Sequence, residues 1–289
     1  RWEAGHEAVE QGAYGVRVSS VCRRVKMSRQ NYYARRRQRE RRRVDGDLVA
    51  ELVRQERQLQ PRVGTRKLQV LLQGNLAQAG VKLGRDRMLE ELRLRDLLVK
   101  PRAREYPRTT CSRHGLPVYP NLIKEREVSG PNEVWVGDLT YLRTREGFMY
   151  LSLLTDKASR KIVGYHCAES LETEGCLEAL EMALKDLPAG RQPIHHSDRG
   201  AQYCSHAYVS RVQARGLTVS MTEKHHTAEN ALAERVNGIL KSEYALGLQF
   251  ASKEQARRGV SEAVHWYNTR RPHTALGYRI PAVVHSLSA

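Results

Sequence analysis

Apolar residues fall into two rhythms along the second half of the chain. Residues 134–142 carry Trp135 and Tyr141 in a strand-like pattern, and residues 148–155 form a continuous apolar run. Residues 161–167, with Ile162, Val163 and Tyr165, predict a third strand. The short connections at Gly147 and Ala158-Ser159 fit an antiparallel meander. The rhythm then lengthens. Cys176, Leu177, Leu180, Ala183, Leu184 and Leu187 give residues 171–187 the spacing of a helix with one buried face. Residues 193–197 predict a short strand, 205–215 a helix, 217–221 a fifth strand and 228–246 a long helix.

The order βββαβαβα is the ribonuclease H-like arrangement, an α/β fold. In it, acidic residues from the first strand, the fourth strand and a late helix meet at one edge of a five-stranded mixed sheet. The first half reads differently. Residues 19–26 predict a short helix, Met27 a turn, and Ser28 an N-cap for a helix over residues 29–40. That helix bears Arg29, Gln30, Asn31, Tyr32, Tyr33, Arg35 and Arg36, side chains suited to phosphates and base edges. It reads either as the recognition helix of a helix-turn-helix or as a solvated basic helix. Residues 45–58 predict a connecting helix. Residues 65–72 and 84–98 predict a second pair, joined through Gly74-Asn75 and Ala79-Gly80. Leu89, Leu92, Leu97 and Leu98 form its expected buried stripe, with Arg85, Arg87, Arg93 and Arg95 outward.

Charge separates the halves. The 289 residues hold 49 Lys and Arg against 32 Asp and Glu, a formal net charge of +17. Residues 1–130 carry 30 basic and 15 acidic residues, while residues 131–289 carry 19 and 17. The excess sits before residue 131, which points to nucleic acid as partner of the first part. The expected organisation is a helix-turn-helix segment over 1–44, a second small helical DNA-binding module over 45–106, and a proline-bearing linker over 107–130. A core over 131–250 and a C-terminal helical extension over 251–289, packed on the core, complete it. A fragment of residues 131–289 is expected to fold alone. No signal peptide is expected, and no run reaches the ~18 apolar residues of a membrane span, so the expected location is cytoplasmic, at the nucleoid. Cys22, Cys111, Cys167, Cys176 and Cys204 form no Cys-x-x-Cys pair, so reduced thiols are expected and zinc is not. No glycine-rich phosphate loop is present, which disfavours ATP-driven chemistry.

Three acids stand out by position. Asp138 lies mid-strand, where an unpartnered carboxylate is costly. Asp198 ends the fourth strand, where ligand sites form. Glu234 lies on the late helix and shares a polar face with Asn230, Asn237 and Lys241. Three carboxylates within about 4 Å repel by about 4 kcal/mol per pair at an effective dielectric near 20. Cations must offset that, and a hard oxygen set without His or Cys selects Mg²⁺ or Mn²⁺, two ions for phosphodiester displacement. Trp135, His196 and Asn230 are the expected supporting neighbours, and Lys241 a candidate phosphate contact. Trp266 and Tyr267 are expected to pack on the core, with Arg270 and Arg271 reaching DNA.

The segments NEVWVGDLTYL, HHSDRGAQY, ENALAERVNGILKSE and WYNTRRPHTALGYRIP resemble the DDE transposases of the bacterial insertion-sequence IS-three family, its OrfB or integrase-core product. Between Asp198 and Glu234 lie 35 residues, the spacing that family is named for, and 59 lie between Asp138 and Asp198. The stretches CRRVKMSRQNYY and VGTRKLQVLL look like the family's helix-turn-helix segments. The resemblance implies an enzyme that binds terminal inverted repeats, frees a 3′-hydroxyl, and joins it to another phosphodiester, with Asp138, Asp198 and Glu234 as its metal-binding triad. It implies a homo-oligomer on double-stranded DNA. It also implies manufacture as a longer protein by frameshifting from an overlapping upstream frame, and a chain opening at Arg1 fits the downstream product. Two departures stand out: Glu229-Asn230-Ala231 where the family more often has Asp-Asn-Ala, and Lys224-His225-His226 where a glycine-containing stretch is usual. A catalytically silent DNA-binding regulator and a nuclease of the same fold are the competing readings. The intact triad disfavours the first, and the basic N-terminal helices disfavour the second.

Overall fold

The computed structural model describes residue 9 and residues 17–100, 114–223 and 227–287; Cys111 and Lys224-His225-His226 lie outside them. Two compact units are present, one of Arg1–Gln55 and Leu72–Leu97, the other of Glu56–Leu71 and Leu98–Ala289.

The first unit is helical. Helix α1 (Val18–Arg24) ends at a turn in which Lys26 adopts φ 53°. Ser28 Oγ then accepts the Asn31 N–H at 3.1 Å, the cap expected of it. Helix α2 runs unbroken over Arg29–Leu59, 31 residues, so the break expected between residues 40 and 45 is absent. Gly46 inside it has a packing reason. A Cβ there would strike the guanidinium of Arg95 and the carboxylate of Glu91. Arg95 bonds Glu91 and, at 3.0 Å, Asp47, while Arg87 meets Asp45 at 3.6 Å. Two of the four arginines expected to face outward thus tie α4 (Arg85–Leu94) to α2. Helix α3 (Thr65–Gln78) runs through Gly74-Asn75 and stops before Gly80, whose φ of 72° suits glycine. The buried stripe of α4 is Met88 and Leu92, whereas Leu89 is exposed.

The second unit is built on a five-stranded sheet in the order β3-β2-β1-β4-β5. Its strands are β1 (Val134–Thr144), β2 (Gly147–Asp156), β3 (Ile162–Ala168), β4 (Ile194–Ser197) and β5 (Thr218–Met221). The first three pair antiparallel, while β4 runs parallel to both β1 and β5. Helices α5 (Thr173–Lys185), α6 (Ala201–Cys204) and α7 (His206–Ala214) cover one face, over Trp135, Leu154, Leu180 and Val212. The other face packs Leu142, Met149 and Leu151 against α8 (Ala231–Glu243) and α9 (Lys253–Thr269) through Val236, Leu240, Val260 and Tyr267. Trp266 packs on the same cluster, as expected of this C-terminal element. Helix α10 (Pro281–Ser286) closes the chain; His285 on it bonds Ser159 at 2.9 Å, beside buried Asp156. This is the ribonuclease H-like α/β fold expected from the element order. Residues 56–71, sequence neighbours of the basic helices, belong with this sheet. Cys22, Cys167, Cys176 and Cys204 are free and buried, and no helix among the described residues is long and apolar enough to cross a membrane.

Candidate active site

The parallel register explains how two of the three acids meet. Gly137 of β1 pairs with Ser197 of β4, so the next residue on each chain is an aspartate, Asp138 and Asp198. Asp198 Oδ1 accepts the Gly200 N–H at 3.0 Å just past the strand. Glu234 comes from the first turn of α8, which is fixed to β1 by two asparagines on either side of it. Asn230 Nδ2 donates to the Gly137 carbonyl at 3.1 Å, and Asn237 Nδ2 donates to Asp138 Oδ2 at 2.7 Å. Both asparagines are buried, as helix residues facing a strand must be.

Part of Asp138 stays open to solvent while its carboxyl group is enclosed by protein. Burial first, and then the charge of Asp198, raise its pKa to about 7; Asn237 pulls the other way and Glu234 adds to the rise. A carboxyl so placed gains when a cation arrives. The close three-carboxylate cluster expected from sequence is not closed, however. Glu234 is exposed, and among the described residues no three His, Cys, Asp or Glu side chains group tightly enough to hold a metal ion. Mutual repulsion keeps uncompensated carboxylates apart.

Behind Asp138 lies a buried polar layer that sequence reasoning missed. His195 Nε2 bonds the Tyr208 hydroxyl at 2.8 Å, and burial holds that imidazole neutral, with a pKa of about 3. Tyr203 stacks alongside, 6.0 Å from the His195 ring centre. Gly137 was the available signal: a Cβ on it would sit 3.2 Å from His195 Nε2 and 3.3 Å from Tyr203.

Two models of the integrase core domain match this chain, over residues 128–227 and 215–281. The uncharacterized 31 kDa protein of insertion element IS600 from Shigella sonnei is 40% identical over 226 residues, covering 76% of this chain and 79% of that protein. This chain belongs to the IS3 family of transposases. The transposase for insertion sequence element IS629 of Shigella sonnei is 35% identical over 176 residues, and this chain covers 59% of it. Transposase InsF for insertion sequence IS3A of Escherichia coli strain K12 is 37% identical over 177 residues, 61% of this chain and 62% of InsF. Among solved structures, the magnesium complex of the HTLV-2 integrase catalytic core domain covers 55% of this chain and 99% of its own, with 17% identity and a TM-score of 0.45.

In this family member the remaining expected site residues divide sharply. Trp135 is buried and donates its Nε1–H to Asn132 at 3.1 Å, a packing role. His196 is buried, bonds Ser220 Oγ at 2.9 Å, and is kept neutral by burial, with a pKa of about 4. Lys241 stays close to the acids. Its ammonium lies 4.5 Å from the Tyr141 ring centre, and burial lowers its pKa while Asp138 raises it. Of the two arginines expected on DNA, Arg271 is 2% exposed and forks onto Glu243, so it is not available to it, whereas Arg270 forks onto Glu56 and keeps part of its side chain exposed. Tyr32 is not available to DNA, being 0% exposed against Val21 and Cys22 in the small core that α1 and α2 share. Arg29, Gln30, Asn31, Tyr33 and Arg35 are exposed; Arg36 is half-exposed, 3.9 Å from Glu40. Glu229, at the position where the family more often has Asp, accepts the Glu223 N–H at 2.6 Å.

Proposed function

We propose that this transposase-family chain cuts and joins DNA strands: it binds the terminal inverted repeats of its element, hydrolyses a strand to free a 3′-hydroxyl, and joins that hydroxyl to a target phosphodiester. The observation that supports this reading is the seating of α8 on β1. Asn230 and Asn237 hold Glu234 in the field of Asp138, within β1, and of Asp198, just past the adjacent parallel strand β4.

Asp138, Asp198 and Glu234 are the residues that would hold Mg²⁺ or Mn²⁺; when bound, a pair of such ions activates the attacking oxygen and steadies the leaving one. The chain's own groups do the positioning. Asn237 keeps the Asp138 carboxylate from turning away from the edge of the sheet. Lys241, seated on Tyr141 beside Asp138, offers a fixed positive charge to a phosphate oxygen. The layer of His195, Tyr203 and Tyr208 excludes water from the far side of the strand. Duplex DNA is read by the exposed residues Arg29, Gln30, Asn31, Tyr33 and Arg35, in the manner of a recognition helix. Copies of the chain assemble on the element ends, in the cytoplasm at the nucleoid.

Asp138→Asn, Asp198→Asn and Glu234→Gln should each abolish cleavage and joining of labelled end duplexes with Mg²⁺ or Mn²⁺ while leaving DNA binding intact. Amides keep shape and lose charge, and each 1.36 kcal/mol of lost transition-state stabilisation is about tenfold in rate. Near-wild-type cleavage by any one variant removes that residue from the site.

A further inference from the structure

Helix α8 is held at both ends, and the second hold involves residues far from the carboxylates. Glu243, its last residue, accepts from Arg271 Nε at 2.8 Å, from Arg271 Nη2 at 2.9 Å and from Lys67 Nζ at 2.7 Å. Its backbone carbonyl accepts the Arg62 N–H at 3.0 Å. One residue on, the Tyr244 hydroxyl donates to Gln60 at 3.1 Å, and Gln60 donates to Glu56 at 2.8 Å. Glu56, buried, takes the Arg270 fork. Burial alone would raise the Glu243 carboxyl; the bonds and charges of Arg271 and Lys67 outweigh it and hold the group below the usual carboxylate range.

Charged groups this buried are rarely the cheapest route to stability, since apolar residues of similar volume often serve as well. What a forked arginine and a lysine on one carboxylate add is a fixed position. Glu234 and Glu243 lie on one 13-residue helix. Nine residues of α-helix span about 14 Å as a rigid rod, so clamping one end sets the other. We infer that Glu243, clamped by Arg271 and Lys67, is a positioning residue that sets α8, and with it Glu234, against β1. Residues 56–71, which include the last turn of α2, then work as part of the catalytic unit. The inference rests on the reading of Glu234 as the third carboxylate.

The test uses the full chain with Lys67→Met, which keeps bulk and loses charge, Lys67→Arg, which restores the charge, and Glu234→Gln. Two quantities are measured: amide exchange of residues 235–243 relative to residues 150–155 of β2, and Mn²⁺ affinity by titration calorimetry. Lys67→Met should speed exchange of the helix at least tenfold relative to the strand, and weaken Mn²⁺ binding about tenfold, as losing an outer-shell support does. Lys67→Arg should restore both, and the exchange of β2 itself reports any general loss of stability. Unchanged relative exchange overturns the inference, as does unchanged Mn²⁺ affinity where Glu234→Gln lowers it. Should Glu234→Gln itself leave Mn²⁺ affinity intact, Glu234 is not a ligand, and the exchange ratio alone decides whether Glu243 positions the helix. If Lys67→Met does not fold, Arg271→Lys, which keeps the charge and loses the fork, takes its place in both measurements.

Discussion

The helical unit and the sheet unit use the same side chain for opposite purposes. On the first turn of α2, Arg29 is exposed, in a half of the chain where basic residues outnumber acidic two to one. In the sheet unit Arg271 is 2% exposed and bonded along one edge to Glu243, and Arg270 lies on Glu56. The difference teaches that an arginine's task is set by whether an acid stands opposite it in space. Arg271 looks like a DNA contact until Glu243 is found, 28 residues earlier. Tyr32 and Tyr33 repeat the lesson within one turn of helix, one buried in a small core and its neighbour 46% exposed.

The comparison can be broken most forcefully at Arg271. Arg271→Ala strands a buried carboxylate beside Lys67 and should cost about 3–5 kcal/mol of unfolding free energy. Urea unfolding of the full chain measures it. A loss under about 1 kcal/mol, the scale of an exposed pair, would put Arg271 in the same class as Arg29. A fragment of residues 131–289, expected from the sequence to fold alone, lacks Glu56, Gln60, Arg62 and Lys67, the partners of Arg270, Tyr244 and Glu243.

Acid sharpens the contrast with a smaller effect. His195 and His196 are neutral in the fold, with pKa values of about 3 and about 4, both because of burial. The unfolded chain protonates them near pH 6.5, so between about 4 and 6.5 it binds more protons than the folded chain. Stability therefore rises with pH across that window and is lost as pH falls through it, by up to about 1.4 kcal/mol per pH unit for each histidine. Urea midpoints at pH 7.5, 6 and 5 should fall in that order, and His196→Gln should flatten the slope, leaving the shares of His195 and of His273, which burial also lowers to about 4. A slope that His196→Gln leaves unchanged would show that this imidazole titrates alike in the folded and unfolded chain.

The smallest effect separates DNA binding from folding. Arg29→Ala should leave the unfolding midpoint where it was and lower the slope of log affinity against log salt by about 0.9, one phosphate contact. Anisotropy on an end duplex across a salt series reads it. An unchanged slope would remove Arg29 from the DNA surface.

Much of the catalytic half was legible because its signals are local. Strand runs such as residues 148–155 and the helical spacing from Cys176 to Leu187 declare themselves within a dozen residues, and the observed β2 and α5 lie on them. The chain positions of Asp138, Asp198 and Glu234 followed from the same element order. The helical half was less legible. A buried face shared with α4 lets α2 continue past residue 40, and nothing in residues 40–45 by themselves reports that packing. Leu89 and Arg95 exchanged their expected exposures for the same reason, because the partner surface chose the face.

What the sequence by itself determined is the order of elements, the charge imbalance between halves, and which acids and asparagines are carried at strand ends and on one helix face. Those depend on neighbours within a few residues, where periodicity and propensity act. Only the tertiary structure decided that Gly137 aligns with Ser197, that Asn237 meets Asp138, and that Glu243 gathers Arg271 and Lys67. Each of those joins residues 28 to 176 positions apart. Their energy comes from burial and from the geometry of charge pairs, which exist only after the chain has closed on itself.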